Sequence, residues 1–267
     1  TPRPTNRSTR EMLILLPPSE TKTRPTALEA PSLDLASMSW GELREAREDM
    51  LRAAKLTAES DTAMSALKIP TTQPELRERM AHLEREPVAP PLEVYSGVLY
   101  DALGTVSVSD GCRLLVQSAL FGVVDCTEDL IPAYRLSAGS EVLGLGKVST
   151  WWKRHLKDIG AAIERSGEIV IDCRSGAYRS MMPLKGAQVF EVSPVAVREG
   201  TRQVISHDAK RYRGLVARAL CAAPEAVTTA EGVRDVLTSA LGDALDFEIT
   251  DGKTRRTLTV IDDWERR

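Results

Sequence analysis

Met12-Leu13-Ile14-Leu15-Leu16-Pro17-Pro18-Ser19-Glu20-Thr21-Lys22-Thr23 is the stretch on which the fold turns. Its first five residues are apolar without alternation, the pattern of a strand covered on both faces inside a sheet. Neither Pro17 nor Pro18 can donate to a ladder, so the strand ends there. A hydroxyl, a carboxylate and an ammonium follow at once, on Ser19, Glu20 and Lys22. In open α/β sheets ligands bind at such strand ends. A solvated turn is the plainer alternative.

The same arrangement recurs further along. Glu168–Cys173 (E-I-V-I-D-C) reads as a second buried strand ending in Arg174-Ser175-Gly176-Ala177-Tyr178. Ala187–Val192 and Thr201–Ser206 read as strands, the latter running into Ser206-His207-Asp208-Ala209-Lys210-Arg211-Tyr212-Arg213-Gly214. Leu114–Val124 is strand-like, Ala133–Leu136 a short strand, and Ala244–Ile249 and Arg256–Ile261 a hairpin turning at Asp251-Gly252.

Helical periods fill the intervals. Ser39 and Glu42 form a capping box. Leu43, Ala46, Met50, Leu51 and Ala54 then mark one face of a helix reaching about Leu56. Helices follow at Ala58–Leu67, Pro74–Arg85, Leu92–Leu103, Ser149–Ala162, Ala209–Cys221 and Thr229–Leu241. Interspersed helices and strands predict one α/β (α+β) domain over residues 12–264, with a central mixed sheet flanked by helices. Thr1–Glu11, polar and proline-bearing, reads as a disordered extension without the apolar core of a signal peptide.

Composition narrows the function. The net charge is −3 with aromatic residues at 4%. That excludes a globally basic DNA coat and an aromatic platform for single strands, so any nucleic-acid role needs a local basic cleft. Cys112, Cys126, Cys173 and Cys221 form no C-x-x-C pair, so no metal site is expected, and they read as reduced thiols of a cytoplasmic protein. No P-loop or dinucleotide fingerprint occurs, and no cofactor is expected. No run has the length of a membrane span. A monomer is expected.

Lys210 and Arg213, three residues apart, share a helical face near an N-terminus, where cations are unfavourable unless an anion is bound. Solvated surface charge is the alternative. Val142-Leu143-Gly144-Leu145-Gly146-Lys147 is a glycine turn before a helix, a pattern in which backbone N–H groups can face a phosphate.

The segments Met12–Thr21, Tyr95–Leu103, Leu114–Gly139, Ser175–Pro183 and Ser206–Gly214 together resemble the YaaA family of peroxide-stress proteins. Most specific are Ala133-Tyr134-Arg135-Leu136, preceded by Asp129-x-x-Pro132, and Ser206…Ala209-Lys210…Arg213-Gly214. In the family these read P-Y-R-L and S-F-x-A-K-x-A-R-G. The resemblance implies an α/β unit with a basic and polar cleft at the strand ends. It also implies protection against peroxide damage, DNA binding through the cleft, and a helix-hairpin-helix element, for which Gly144, Gly146 and Lys147 supply the hairpin. The chain departs from the pattern at Glu20, in the place of a lysine, at Ala177, in that of a glutamate, and at His207, in that of a phenylalanine.

Two readings follow. In the first, DNA or another phosphate-bearing ligand is held by Ser19, Lys22, Tyr134, Arg135, Arg174, Ser175, Tyr178, Lys210 and Arg213. In the second, the cleft is that of an enzyme acting on a small anionic or nucleotide-like substrate. Its acid/base residue would be His207, a side-chain type suited to proton transfer near neutral pH, with Glu20 or Asp172 orienting it or sharing the proton.

Overall fold

Met12–Leu16 forms the buried central strand, every residue at 2% exposure or less. The computed structural model describes residues 12–26, 31–206 and 208–264. The expected extension at Thr1–Glu11 and the side chain of His207 lie outside the described residues. The strands are β1 (Met12–Leu16), β2 (Val88–Ala89), β3 (Cys112–Ser118), β4 (Gly122–Asp125), β5 (Ile131–Pro132), β6 (Glu141–Val142), β7 (Gly146–Lys147), β8 (Ile169–Asp172), β9 (Gly186–Arg198), β10 (Thr201–Val204), β11 (Asp246–Asp251) and β12 (Arg255–Asp263). The helices are α1 (Arg44–Glu59), α2 (Ala63–Ala66), α3 (Glu75–Ala81), α4 (Pro91–Val94), α5 (Val98–Leu103), α6 (Val148–His155), α7 (Lys157–Arg165), α8 (Gly176–Met181), α9 (Ala209–Cys221) and α10 (Ala230–Leu241).

A mixed eight-stranded sheet, flanked by helices, runs β11-β12-β9-β8-β1-β3-β4, with β10 added to β9. From β12 to β3 the neighbours are parallel. β4, β10 and β11 join antiparallel. Met12 stands between Cys112 of β3 and Ile169 of β8. The chain leaves β1 for β3 on one side and returns to β8 on the other. The carboxyl ends of β1 and β8 therefore flank a topological switch point, the crevice position of open α/β sheets. Pro17–Lys22 and Cys173–Tyr178 start there.

Several local readings need correction. Ser39 does not cap a helix. Its N–H donates to Asp129 Oδ1 at 2.7 Å and its carbonyl accepts from Arg47 Nη1 at 2.7 Å, so tertiary bonds hold it. Trp40 adopts a left-handed conformation, a 3₁₀ turn spans Gly41–Leu43, and α1 starts at Arg44. Leu92–Leu103 is not one helix. Gly97, at φ 92°, breaks it between α4 and α5 and turns Tyr95 and Ser96 toward the end of β1. Leu114–Val124 is two strands, because Ser118 Oγ accepts the N–H groups of Leu120 and Phe121 and folds the chain into a hairpin. Gly122, at φ 76°, lies against the Trp152 ring, where a Cβ would stand 2.8 Å from Cζ3. Ala133–Leu136 is not a strand, and the short β5 precedes it. The predicted Ser149–Ala162 helix divides at Leu156 into α6 and α7.

Candidate functional site

The strand-end site begins with Lys22. An isolated antiparallel bridge pairs it with Tyr95, and Thr23 N–H donates to Val94 carbonyl at 2.8 Å. Ser19 Oγ accepts from Ser96 N–H at 3.0 Å. The loop after β1 is thus fastened to the break between α4 and α5. Lys22 Nζ donates to Ser19 carbonyl at 2.6 Å. It lies 4.1 Å from the centre of the Tyr134 ring and 5.4 Å from that of Tyr95. Lys22 keeps part of its surface in solvent, but its ammonium is walled by these rings.

Burial, with the Arg135 guanidinium second, lowers the Lys22 pKa to about 7, and Glu20 opposes the shift. A base with a lowered folded-state pKa binds fewer protons folded than unfolded between the two values. Stability therefore rises with pH across the window from about 7 to 10.5. Relative to Lys22→Met, the wild-type urea midpoint should gain as pH rises from neutral into that window. Parallel midpoints for the two proteins would contradict the assigned environment.

Behind the amine runs a chain of hydroxyls. Tyr95 and Tyr134 are 2.9 Å apart at their oxygens, and Tyr134 is 2.8 Å from Ser118 Oγ. Because Ser118 Oγ already accepts two backbone N–H groups, its own proton goes to Tyr134. Burial holds the Tyr95, Tyr134 and Tyr178 phenols above their usual range, so they remain protonated donors at neutral pH. Tyr178 hydroxyl accepts from Ala138 N–H at 3.3 Å. Arg135 Nε donates to Lys68 carbonyl at 2.9 Å and its Nη1 to Glu20 carbonyl at 3.3 Å. The Glu20 carboxylate, 74% exposed, also pairs with Arg135 Nη1 at 3.9 Å.

A second cluster follows β8. Cys173 Sγ donates to Arg213 carbonyl at 3.7 Å, joining the end of β8 to the first turns of α9. Arg213 is half-buried, its enclosed Nε has no hydrogen-bond partner among the described residues, and desolvation lowers its pKa against the opposing pull of Cys173, Asp172 and Glu191. Arg179, a like charge that also lowers it, donates to Glu191 at 2.9 Å. Lys210 is exposed one turn before Arg213, and Ser175 is half-buried at the start of α8. Gly214 lets α9 lie on α5, since a Cβ there would collide with Leu99 carbonyl and stand 2.8 Å from Ala102 Cβ.

Two predicted members face the core instead. Arg174 is fully buried. Its Nε and Nη2 donate to Asp172 at 2.8 and 2.7 Å, and its Nη1 to Gln117 Oε1 at 2.6 Å and Met182 carbonyl at 2.9 Å. With four of its five N–H groups bonded and the side chain fully buried, Arg174 is not placed to meet a phosphate, and Asp172, 1% exposed, is not placed to exchange protons with a substrate. Sequence reasoning missed Tyr95, Ser118 and Arg179. The first signal was Tyr95-Ser96-Gly97, a glycine interrupting a helical period beside a tyrosine.

The glycine turn also differs from expectation. Gly144 and Gly146 have φ of 80° and 76°, and Lys147 is exposed. Leu143 N–H donates to Thr57 Oγ1, Leu145 to Val142, Val148 to Ser140 and Ser149 to Ala138, so these groups are not available to a phosphate. α6 follows the turn, but residues 133–140 before it contain no helix. A helix-hairpin-helix is not formed at this position.

Two surface pockets lie away from the site, one involving Arg202, Phe247 and Ile261, the other Leu35, Leu51 and Lys55. Among the described residues no group of His, Cys, Asp and Glu could hold a metal ion, and no helix is long and apolar enough to cross a membrane. Burial holds the thiols of Cys126 and Cys173 up, Cys173 to about 12, and Cys221, a free thiol hydrogen-bonded with the free thiol of Cys112, is raised by that bond and by burial. As thiols rather than thiolates they are poor nucleophiles.

The fold is that of a mixed α/β protein in which polar side chains follow the ends of central parallel strands. Comparison with known sequences is specific: the family described as peroxide stress protein YaaA matches residues 12–240, and the chain belongs to it. A UPF0246 protein of Corynebacterium efficiens is 40% identical, covering 94% of this chain and 100% of its own. One from Corynebacterium glutamicum is 39% identical over 86% and 93%, and one from Streptomyces coelicolor 34% over 84% and 90%.

Proposed function

We propose that this chain acts in the peroxide stress response by binding a phosphate-bearing ligand, DNA or smaller, in a basic cleft at the ends of β1 and β8. Lys210, Arg213 and Arg135 supply the charge, and Ser19, Ser175 and Tyr178 supply hydroxyls. The observation that carries this reading is Arg213. An enclosed guanidinium nitrogen with no hydrogen bond among the described residues is costly unless an anion completes it, although Asp172 and Glu191 offset part of the charge.

With only a local cluster to neutralise phosphates in an acidic chain, duplex binding should be weak and fall steeply with salt. Phosphate contacts carry no base information, so sequence preference should be slight. The test is fluorescence anisotropy with labelled duplex, and inorganic phosphate or a nucleotide as competitor. Lys210→Ala with Arg213→Ala removes two charge-assisted contacts, each worth about 1.5–3 kcal/mol, or about tenfold and more in affinity. Thermal melting should change little. Unchanged binding of duplex and of phosphate in a normally melting double variant would show the cations to be ordinary surface charge.

A further inference from the structure

We propose that the anion completing Arg213 is a phosphate monoester, joined to its carrier through one oxygen, and not the diester phosphate of an unbroken backbone. A phosphorylated DNA end and a mononucleotide both carry that group. The inference rests on the phosphate reading above and narrows it to one chemical class. The side chain of Arg213 makes no hydrogen bond or ion pair among the described residues. Its surroundings are built rather than loose. Cys173 Sγ donates to the Arg213 carbonyl at 3.7 Å, and Arg179 of α8 donates through Nη1 to the Arg174 carbonyl at 2.7 Å. The backbone of one arginine and the fork of the other are thus both fastened to the chain just past β8.

The charges at this place do not balance. The charged groups that face Arg213 are Arg179, Asp172 and Glu191. Asp172 is committed to Arg174, which bonds both of its oxygens. Glu191, beside Asp172 in the β8–β9 ladder, accepts from Arg179 Nη2 at 2.9 Å and from Arg255 Nε at 2.7 Å. Three guanidinium groups, Arg179, Arg213 and Arg255, therefore share one carboxylate, which leaves two positive charges over. A phosphate monoester carries about −1.5 to −2 charges at pH 7 and presents three acceptor oxygens. A diester carries a single charge and has two unesterified oxygens, so it leaves part of the excess uncompensated in a partly desolvated place. Access points the same way. The side chains of Arg179 and Glu191 are only 17% and 24% exposed. A group with one covalent tail can enter between such side chains, whereas an internal phosphate must bring a sugar on each side.

The experiment compares one duplex, labelled on an internal base, with 5′-phosphate or 5′-hydroxyl ends. Fluorescence anisotropy is read at about 0.15 M salt, where non-specific backbone binding is weakened. Adenosine monophosphate and its 3′,5′-cyclic diester, which carry the same base, are then titrated as competitors. The monoester member of a pair should bind at least about tenfold more tightly, the equivalent of one further charge-assisted contact. A preference seen with duplex ends marks DNA as the source, and one confined to the nucleotides marks a small ligand. Arg213→Gln should abolish the preference, and Arg255→Gln, which removes one of the excess charges at a half-exposed position, should weaken it. Equal affinities within both pairs would overturn the proposal, and salt-sensitive duplex binding in the same titrations would leave the broader phosphate reading standing. A preference unchanged in both variants would place the monoester elsewhere and also overturn it. No binding of duplex, nucleotide or inorganic phosphate would sink both.

Discussion

Arg174→Ala is expected to lower the unfolding free energy by about 3–5 kcal/mol. The guanidinium is fully buried and donates to both oxygens of Asp172, to Gln117 and to Met182 carbonyl. Its removal strands a carboxylate that is 1% exposed, at the end of β8 in the middle of the sheet. A stranded buried charge costs more than the pair contributed, because desolvation is no longer offset. With a total stability of about 5–15 kcal/mol, that loss approaches the folding limit. Urea unfolding followed by circular dichroism measures it. Arg174→Met combined with Asp172→Leu removes the charge along with its partner and should recover most of the deficit. A loss under about 1 kcal/mol in the single variant would mean that the pair is hydrated and exposed. Arg174 would then return to the candidate ligand set.

The second large effect is expected at Arg47. It lies fully buried on α1, with no carboxylate in hydrogen-bond contact among the described residues. Its fork donates to three backbone carbonyls, Phe121 at 3.0 Å, Val123 at 2.8 Å and Ser39 at 2.7 Å. Burial pulls its pKa down to about 10, with Asp129 and Glu42 resisting. The residue stitches α1 to the β3–β4 hairpin and to the turn before its own helix. Arg47→Met keeps most of the volume and leaves three carbonyls without that donor, each worth about 1–3 kcal/mol when unsatisfied. A combined loss of about 3–5 kcal/mol is expected. Arg47→Lys should recover only part of it, because a single ammonium cannot reproduce a planar fork. Equal stability of the methionine variant and wild type, from urea midpoints, would refute the role.

The readings that succeeded rest on local chemistry. Five apolar residues followed by two prolines can hardly be anything but a buried strand that stops, and β1 ends at Leu16. The period from Ala209 to Cys221 defines α9 to the residue. The order of motifs was enough to indicate the family, because motif order survives when individual positions change. Arg135, Tyr134 and Lys22 were legible as a group only because each sits beside a strand end or a family motif.

What the sequence could not decide is the direction in which each polar side chain points. Arg174 follows a strand just as Lys22 does, yet one fork closes on Asp172 inside the protein and the other cation lies on tyrosine rings at the surface. Along a strand successive side chains point to opposite sides, so a group next to a site residue can belong to the core. Ser39 shows the same limit. Its capping pattern is local, but Asp129, distant in the chain, claims its N–H first. The hydroxyl chain from Ser118 to Tyr95 joins residues from separate segments and leaves no trace in spacing. Sequence alone therefore determined the central strand, the main helices and the family. Only the tertiary structure decided which cations remain for a ligand, because charge satisfaction is settled by partners brought together after the sheet has formed.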